Sequence, residues 1–246
     1  MNNTIIRPDP YLHIGYVPKP RTERVFIDGA PEFLRGVRAV LCADVHLRAC
    51  TPDHRLNEII DTIDAANADL LLLGGDYGEG AAQCDRFFDA LSHLVFPLGA
   101  YAVRGNNDSA LSDRPNVRAL INRDICIPFR GGTIAIGGVD DHKYGAPDSR
   151  NLFQSAADYR ILLSHFPIIP DCECDLMLSG HTHAGQVSLL GITPYAVGFE
   201  RRYPICAVRG LHRMNDLQVY VSRGIGCSKL PIRLGAAPEI TLLEFR

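Results

Sequence analysis

Three short apolar runs, each closed by a polar cluster, narrow what this chain can fold into. Residues 37–43 (VRAVLCA) end in Asp44-Val45-His46, residues 69–73 end in Gly74-Gly75-Asp76, and residues 100–103 end in Arg104-Gly105-Asn106-Asn107-Asp108. Between them, Leu56, Ile59, Ile60 and Ile63 recur at helical spacing over 53–66, and Phe87, Phe88 and Leu91 do so over 82–94. Strand, polar loop and helix in repetition predict an α/β fold with a mainly parallel sheet. In such sheets ligands bind beyond the carboxyl ends of the strands, where all three polar clusters fall.

The second half of the chain reads as richer in strands. Runs at 133–139, 160–163 and 176–178 are expected to be strands, and residues 218–221 and 239–245 alternate as strands do. The last two runs of the central group are followed by Ser164-His165 and by Gly180-His181-Thr182-His183. Residues 1–24, with four prolines, read as an irregular N-terminal arm, followed by a short strand over Val25-Phe26-Ile27. Residues 114–132 and 147–159 read as excursions from the core. No internal repeat is visible, and residues 1–246 are expected to form one domain.

Charge excludes little chemistry but some partners. Lys+Arg number 25 against 28 Asp+Glu, a net charge of −3 that gives no clear nucleic-acid patch. The eight cysteines form no Cys-x-x-Cys pair and read as reduced thiols. Cys172 and Cys174 are the one close pair, with no further soft ligands to complete a zinc site. No apolar run reaches the roughly 18 residues of a membrane span, and no signal peptide is visible, so a cytoplasmic location is expected.

The chemistry lies in the five polar clusters taken together. One Asp-x-His match alone means little: 20 Asp and 9 His in 246 residues give roughly 0.7 by chance, and Asp140-Asp141-His142 is a second match. Five clusters at five successive strand ends of one sheet, three of them preceded by glycine, are a different matter. Glycine lets the chain turn sharply so that the next side chain enters the site. Asp, His and Asn form a mixed oxygen and nitrogen set without thiolate, which suits Mn, Fe or Zn. Seven such ligands exceed what one ion needs and serve two divalent ions if one carboxylate is shared.

The order D-x-H, G-D, G-N-x-D, H, G-H-x-H, running from Asp44 to His183, resembles the calcineurin-like metallophosphoesterases. The tail YVSRGIGCSKLPIRLGAAPEITLLEF is similar to the bacterial YkuE/YaeI-like branch. The resemblance implies a two-sheet β-sandwich flanked by helices, in four αββα layers. It implies that Asp44, His46 and His183 hold one metal ion, that Asn106, His165 and His181 hold a second, and that Asp76 bridges the two. It also implies a phosphodiesterase-type hydrolase, in which hydroxide between the two ions attacks a phosphodiester or a phosphoanhydride. Its substrates would be phosphate-ester small molecules or lipid or nucleotide diesters. A protein phosphatase, or a binding scaffold that has lost its metals, are the rival readings; all seven ligand positions retain ligand-capable side chains, which favours the enzyme.

One position departs from the family pattern. Where many members place His after the metal-binding Asn, this chain has Asn107, which can donate a hydrogen bond but not a proton. Asn107 is the expected contact to the phosphoryl group, and poor leaving groups are expected to react slowly. Asp108 is left with a loop-closing role through backbone hydrogen bonds. Gln186 is a further candidate phosphate contact. Arg104 and Arg223 are expected to pair with acids, and His54 and His142 to be surface or loop histidines.

Overall fold

The structure, a computed structural model, describes residues 9–198 and 201–246. In chain order the strands are β1 (Leu12–Ile14), β2 (Arg21–Ile27), β3 (Arg38–Cys42), β4 (Leu70–Leu73), β5 (Ala100–Ala102), β6 (Arg118–Ala119), β7 (Arg123–Phe129), β8 (Gly132–Gly138), β9 (Tyr159–Leu163), β10 (Leu176–Ser179), β11 (Gly210–Met214), β12 (Leu217–Val221), β13 (Ile232–Leu234) and β14 (Glu239–Phe245). The helices are α1 (Asp53–Ala65) and α2 (Ala81–Leu91). One six-stranded sheet runs β2-β14-β3-β4-β5-β6 and another β11-β12-β10-β9-β8-β7, with β1 and β13 paired as a small separate ribbon.

The two sheets stack face to face because β3 and β4 are apolar on both sides. Their alternate side chains divide between two cores. Val40, Cys42, Leu71 and Leu73 meet α1 and α2 through Ile59, Ile63, Phe87 and Phe88. Ala39, Leu41, Leu70 and Leu72 meet Ile134, Ile136, Ile161, Leu163 and Leu178 of the second sheet. α1 ends where Asn67 turns left-handed at φ 46°, a conformation Asn tolerates better than most residues.

The two-sheet α/β sandwich is as the sequence led one to expect, with one difference in its outer layers. Both α-helices pack on the first sheet. Among the described residues the outer face of the second sheet, with Ala135, Leu162, Met177 and Val219, is covered by non-helical chain carrying Leu152, Phe153, Cys206 and Ala207. The expected irregular arm over 1–24 is corrected beyond residue 8, since β1 lies in it and β2 begins at Arg21. Prolines at 18 and 20 obscured β2, an edge strand whose first four residues are exposed and carry no alternation. The expected excursion at 114–132 is also corrected: it contains β6 and β7, and β7 forms the far edge of the second sheet.

The C-terminal strand locks the sheets together. β14 lies between β2, parallel, and β3, antiparallel. Its first residue, Glu239, is buried and accepts from the Tyr220 hydroxyl of the second sheet at 2.7 Å and from the Arg223 backbone at 3.0 Å. The Arg223 guanidinium pairs with Glu239 and, at 2.7 Å, with Glu23. Burial works against the charged form of Arg223, but the Glu239 charge outweighs it and raises the guanidinium pKa.

Glu239→Ala should therefore lower unfolding free energy by about 3 kcal/mol, because it strands a half-buried guanidinium and a buried hydroxyl. Glu244→Ala, which removes the partner of the exposed Arg24, should cost only about 0–1 kcal/mol. Urea denaturation of both variants measures the difference, and equal losses would deny the clamp its role.

Candidate metal centre

The five clusters meet at one edge of the sandwich, and they straddle both sheets. The expectation that they end five successive strands of a single sheet is corrected: Asp44, Asp76 and Asn106 follow β3, β4 and β5 of the first sheet, while His165 and His181 follow β9 and β10 of the second. The cavity therefore opens where the two sheets abut, with hydrogen bonds holding the loops in place. The Tyr77 hydroxyl donates to the Val103 carbonyl at 2.7 Å, lies 3.0 Å from the Leu73 carbonyl and accepts from the Gly75 N–H at 3.1 Å. Asp108 accepts from the backbones of Asp76, Gly105 and Tyr77 at 2.8, 2.8 and 3.0 Å, the loop-closing role expected for it.

The side chains converge, with ring nitrogens facing carboxylate and amide oxygens and one another. His46 Nε2 lies 3.0 Å from His183 Nε2 and 3.4 Å from Asp76 Oδ2, and His183 Nε2 lies 3.5 Å from Asp44 Oδ1. On the other side of the same carboxylate, His165 Nε2 lies 3.5 Å from Asp76 Oδ2, and His181 Nδ1 lies 3.0 Å from Asn106 Oδ1. Two ligands about 2.1 Å from a shared ion stand about 3.0 Å apart at a right angle and about 3.4 Å apart at the tetrahedral angle. The observed separations, 3.0 to 3.5 Å, match that range to within 0.1 Å. Ligand atoms of Asp44, His46 and His183, and of Asp44, Asp76 and His165, lie within 4.8 Å of one another. Asp44 belongs to both groups, but its two oxygens also accept the His181 N–H at 3.1 and 3.0 Å. Asp76 Oδ2 is nearly equidistant from His46 Nε2 and His165 Nε2.

The residues fit a cation on two further observations. His165 Nε2 is buried without a hydrogen-bond partner, while its Nδ1 donates to the Gly74 carbonyl at 2.8 Å. That partner fixes the tautomer whose Nε2 lone pair faces the carboxylates. His46 is oriented in the same way, its Nδ1 on Glu79 Oε1 at 2.7 Å, in the carboxylate–histidine arrangement that raises ligand basicity. Phe166 stacks on the His181 ring at 3.6 Å between centroids.

The electrostatics follow from burial and mutual charge. Burial alone would raise the Asp76 pKa; the charges of His165 and His46 and the Asn107 N–H outweigh it and hold the carboxyl below the usual range. Burial would lower His165, but the charge of Asp76, 3.5 Å away, with that of Asp44, lifts it to about 10, so that Nε2 attracts positive charge, whether a proton or a metal ion. His183 moves the other way, through burial and the charges of His46 and Arg233, and stays neutral.

The local backbone is strained where the ligands sit. Asp44, His46, Asp76, His181 and His183 all have left-handed φ, between 47° and 67°. Each such non-glycine residue costs roughly 1–2 kcal/mol. The expected reason for the glycines is thus corrected at two of three positions. At Gly180 the turn is made by the ligand His181 itself, and Gly105 and Gly180 serve by leaving space. A Cβ on Gly105 would stand 2.2 Å from Asp76 Oδ1, and one on Gly180 would stand 2.4 Å from Asp44 Oδ2.

The other expected residues divide. Asn107 lines the cavity, but its amide donates to Asp76 Oδ2 at 2.6 Å and its N–H to Oδ1 at 2.8 Å, so it braces the Asp76 carboxylate. Gln186 is corrected as a phosphate contact: its oxygen accepts from the Ser228 N–H and its nitrogen donates to the Leu230 carbonyl, both at 2.9 Å. With both ends engaged, it positions the 228–232 segment. Arg104 pairs with Asp140 at 2.8 Å and Arg223 with Glu239, as expected. His54 is exposed. His142 is a loop histidine as expected, in a turn; it is half-buried, 5.7 Å from the Phe166 ring, and burial lowers its pKa.

Several residues escaped sequence reading. Glu79 lies three residues past Asp76 in a loop with no motif of its own. Arg233, fully buried, donates to the Gly226 carbonyl at 2.9 Å and brings a terminal nitrogen 2.9 Å from His183 Nδ1. Lys143 and Lys229 line the cavity, which has a volume of about 290 Å³. The chain has only 3 Lys against 22 Arg, and that scarcity was the available signal.

The arrangement defines a class, a buried carboxylate–histidine centre suited to divalent cations at the seam of an α/β sandwich. The chain belongs to the calcineurin-like phosphoesterase family, whose profile matches residues 37–185. Among its relatives, the uncharacterised metallophosphoesterase YkuE of Bacillus subtilis is 27% identical over 88% of this chain and 81% of its own length. Phosphodiesterase YaeI of Escherichia coli is 29% identical over 89% of this chain and 84% of its own. A transmembrane protein with metallophosphoesterase domain from Bos taurus is 28% identical over 99% of this chain, which spans 60% of that protein's length. No helix among the described residues of this chain is long and apolar enough to cross a membrane.

Glu79→Gln should weaken metal binding by about 10–100-fold through loss of the His46 brace. Calorimetric titration with Mn²⁺ measures it. An unchanged affinity would mean that His46 Nε2 is not a ligand.

Proposed function

We propose that this protein is a dinuclear metal-dependent phosphodiesterase, hydrolysing a phosphodiester or a phosphoanhydride. The observation that carries the reading is the position of Asp76 Oδ2, 3.4 Å from His46 Nε2 and 3.5 Å from His165 Nε2. Asp44, His46 and His183 would hold one ion, Asn106, His165 and His181 the other, and Asp76 both. Two such ions, Mn, Fe or Zn by the donor set, supply a water of lowered pKa as nucleophile and neutralise phosphoryl oxygens. The printed name of YaeI supports the phosphodiester as substrate.

The chain's own groups do the rest. Asn107 holds the Asp76 carboxylate in register between the two histidine sets. Lys143 and Lys229, on the cavity wall, offer positive charge to the phosphoryl oxygens. Asn107 has no proton to give, so the leaving oxygen departs as the anion or takes its proton from water, which favours aryl over alkyl leaving groups. A cytoplasmic location is part of the same proposal.

A bis-aryl phosphodiester assayed with Mn²⁺ tests this reading. Asp76→Asn should reduce kcat/KM by about 10³-fold or more, since charge stabilisation by the clamp is lost. Asp140→Asn, in the second Asp-x-His match, should stay within about tenfold of wild type, because Asp140 serves Arg104 and the loop backbone at Asp141 and Ala146. The reverse ranking would move the site to the Asp140 motif.

A further inference from the structure

We infer that the substrate carries a long apolar chain on its phosphate group, and that a groove beside the metal centre holds that chain. The inference rests on the phosphoesterase reading above. The groove, with a volume of about 350 Å³, is walled by Val187, Pro194, Tyr195 and Leu230. Four residues, His181, His183, Ser228 and Lys229, line both this groove and the metal-ligand cavity, so the two spaces are continuous. A phosphate placed against His181, His183 and Lys229 would have an apolar channel leading away from it.

The channel does not end at its rim. β1 pairs with β13 through Leu12 and Leu234, and Val187 bridges to Leu234 from the other side. Ser188 continues that ladder, its N–H donating to the Leu234 carbonyl at 2.7 Å, and Leu189 and Ile192 close a tight turn. Gln186 ties the same ribbon to the 228–232 segment. Three stretches distant in sequence are thereby fused into one appendage.

Six of the ten exposed large apolar residues described lie on that appendage: Leu12, Ile14, Leu189, Leu190, Ile192 and Leu230. Leu190 is 79% exposed and Ile14 76%. Single exposed leucines are ordinary, but a group gathered on one ribbon beside a cavity marks a binding surface. The same ribbon holds the groove wall, and a cation, Lys229, stands where groove and metal cavity join. That order of features, divalent-cation site, lysine, apolar channel, exposed apolar ribbon, matches an amphiphile with a phosphate at one end and a chain longer than the groove.

The test uses p-nitrophenyl phosphodiesters with one leaving group and a second ester group of varied length, on Mn²⁺-loaded protein. Methyl and octyl esters are compared as monomers, and a hexadecyl ester is presented in phosphatidylcholine vesicles. Each methylene moved from water into the groove is worth about a fourfold gain, about 0.8 kcal/mol. The octyl ester should exceed the methyl ester in kcat/KM by at least about 30-fold, allowing for incomplete burial. Leu230→Ser, and separately Leu190→Ser, should lower the octyl-to-methyl ratio. Turnover of the vesicle-bound ester as well assigns a membrane lipid as the source of the chain; turnover of the octyl ester alone assigns a soluble amphiphile. An octyl-to-methyl ratio near one, with the methyl ester turned over, overturns the inference and leaves the phosphoesterase reading standing. Such a ratio is also what a protein partner on the ribbon would give. Turnover of neither ester overturns both.

Discussion

Two buried carboxylates set beside four imidazoles govern this structure. Asp44 and Asp76 are fully enclosed, and their charge has no solvent to stabilise it. Neighbouring histidines take up part of it, and backbone N–H groups of His181 and Asn107 take up more. The histidine rings in turn crowd together, with His46 Nε2 3.0 Å from His183 Nε2. His46 and His165 are held in that orientation by Glu79 and by the Gly74 carbonyl, so the tension is built in rather than relieved by rotation. A divalent cation among these groups would relieve it, which marks the centre as the candidate functional site.

The frame has to support that cost. Five ligand residues in the left-handed region, at about 1 kcal/mol each or more, amount to a sum comparable to the net stability of an ordinary domain. The rigid elements around them are correspondingly over-determined. The Tyr77 hydroxyl bonds near the ends of both β4 and β5, Asp108 fixes three backbone N–H groups, and Gly224 and Gly226 press against Asp44, Val45 and His46. Glu239 and Arg223 then clamp the second sheet to the first beneath the site. The geometry of the centre is thus a property of the whole sandwich.

Most of the centre was legible in sequence because the family pattern is local. A strand of apolar residues followed by Asp44-Val45-His46 or Gly75-Asp76 carries both the element and the ligand in a few positions, and α1 and α2 show plain helical spacing. What escaped has a physical reason in each case. Glu79 and Arg233 act through ring nitrogens of other residues, and nothing in their own neighbourhoods marks them. Gln186 looked like a phosphate contact because it follows His183, but its amide is consumed by the 228–232 segment. β2 and β7 are edge strands, half-exposed and interrupted by or adjoining proline, so they lack the alternation that reveals a buried strand. The assignment of the clusters to one sheet failed because parallel strands from two sheets can end at one edge, a tertiary fact that no local pattern encodes. The profile match stops at residue 185, and the parts that shape the apolar groove and brace His183 lie largely beyond it.

The central claim is that Asp76 is shared by two ions. Anomalous diffraction from crystals soaked in Mn²⁺ addresses it directly, since it locates each ion independently of turnover. The account predicts two peaks roughly 3.5–4 Å apart, with Asp76 reaching both, His46 and His183 at one, and His165, His181 and Asn106 at the other. A single peak at saturation, or two peaks with Asp76 bound to only one, would contradict it.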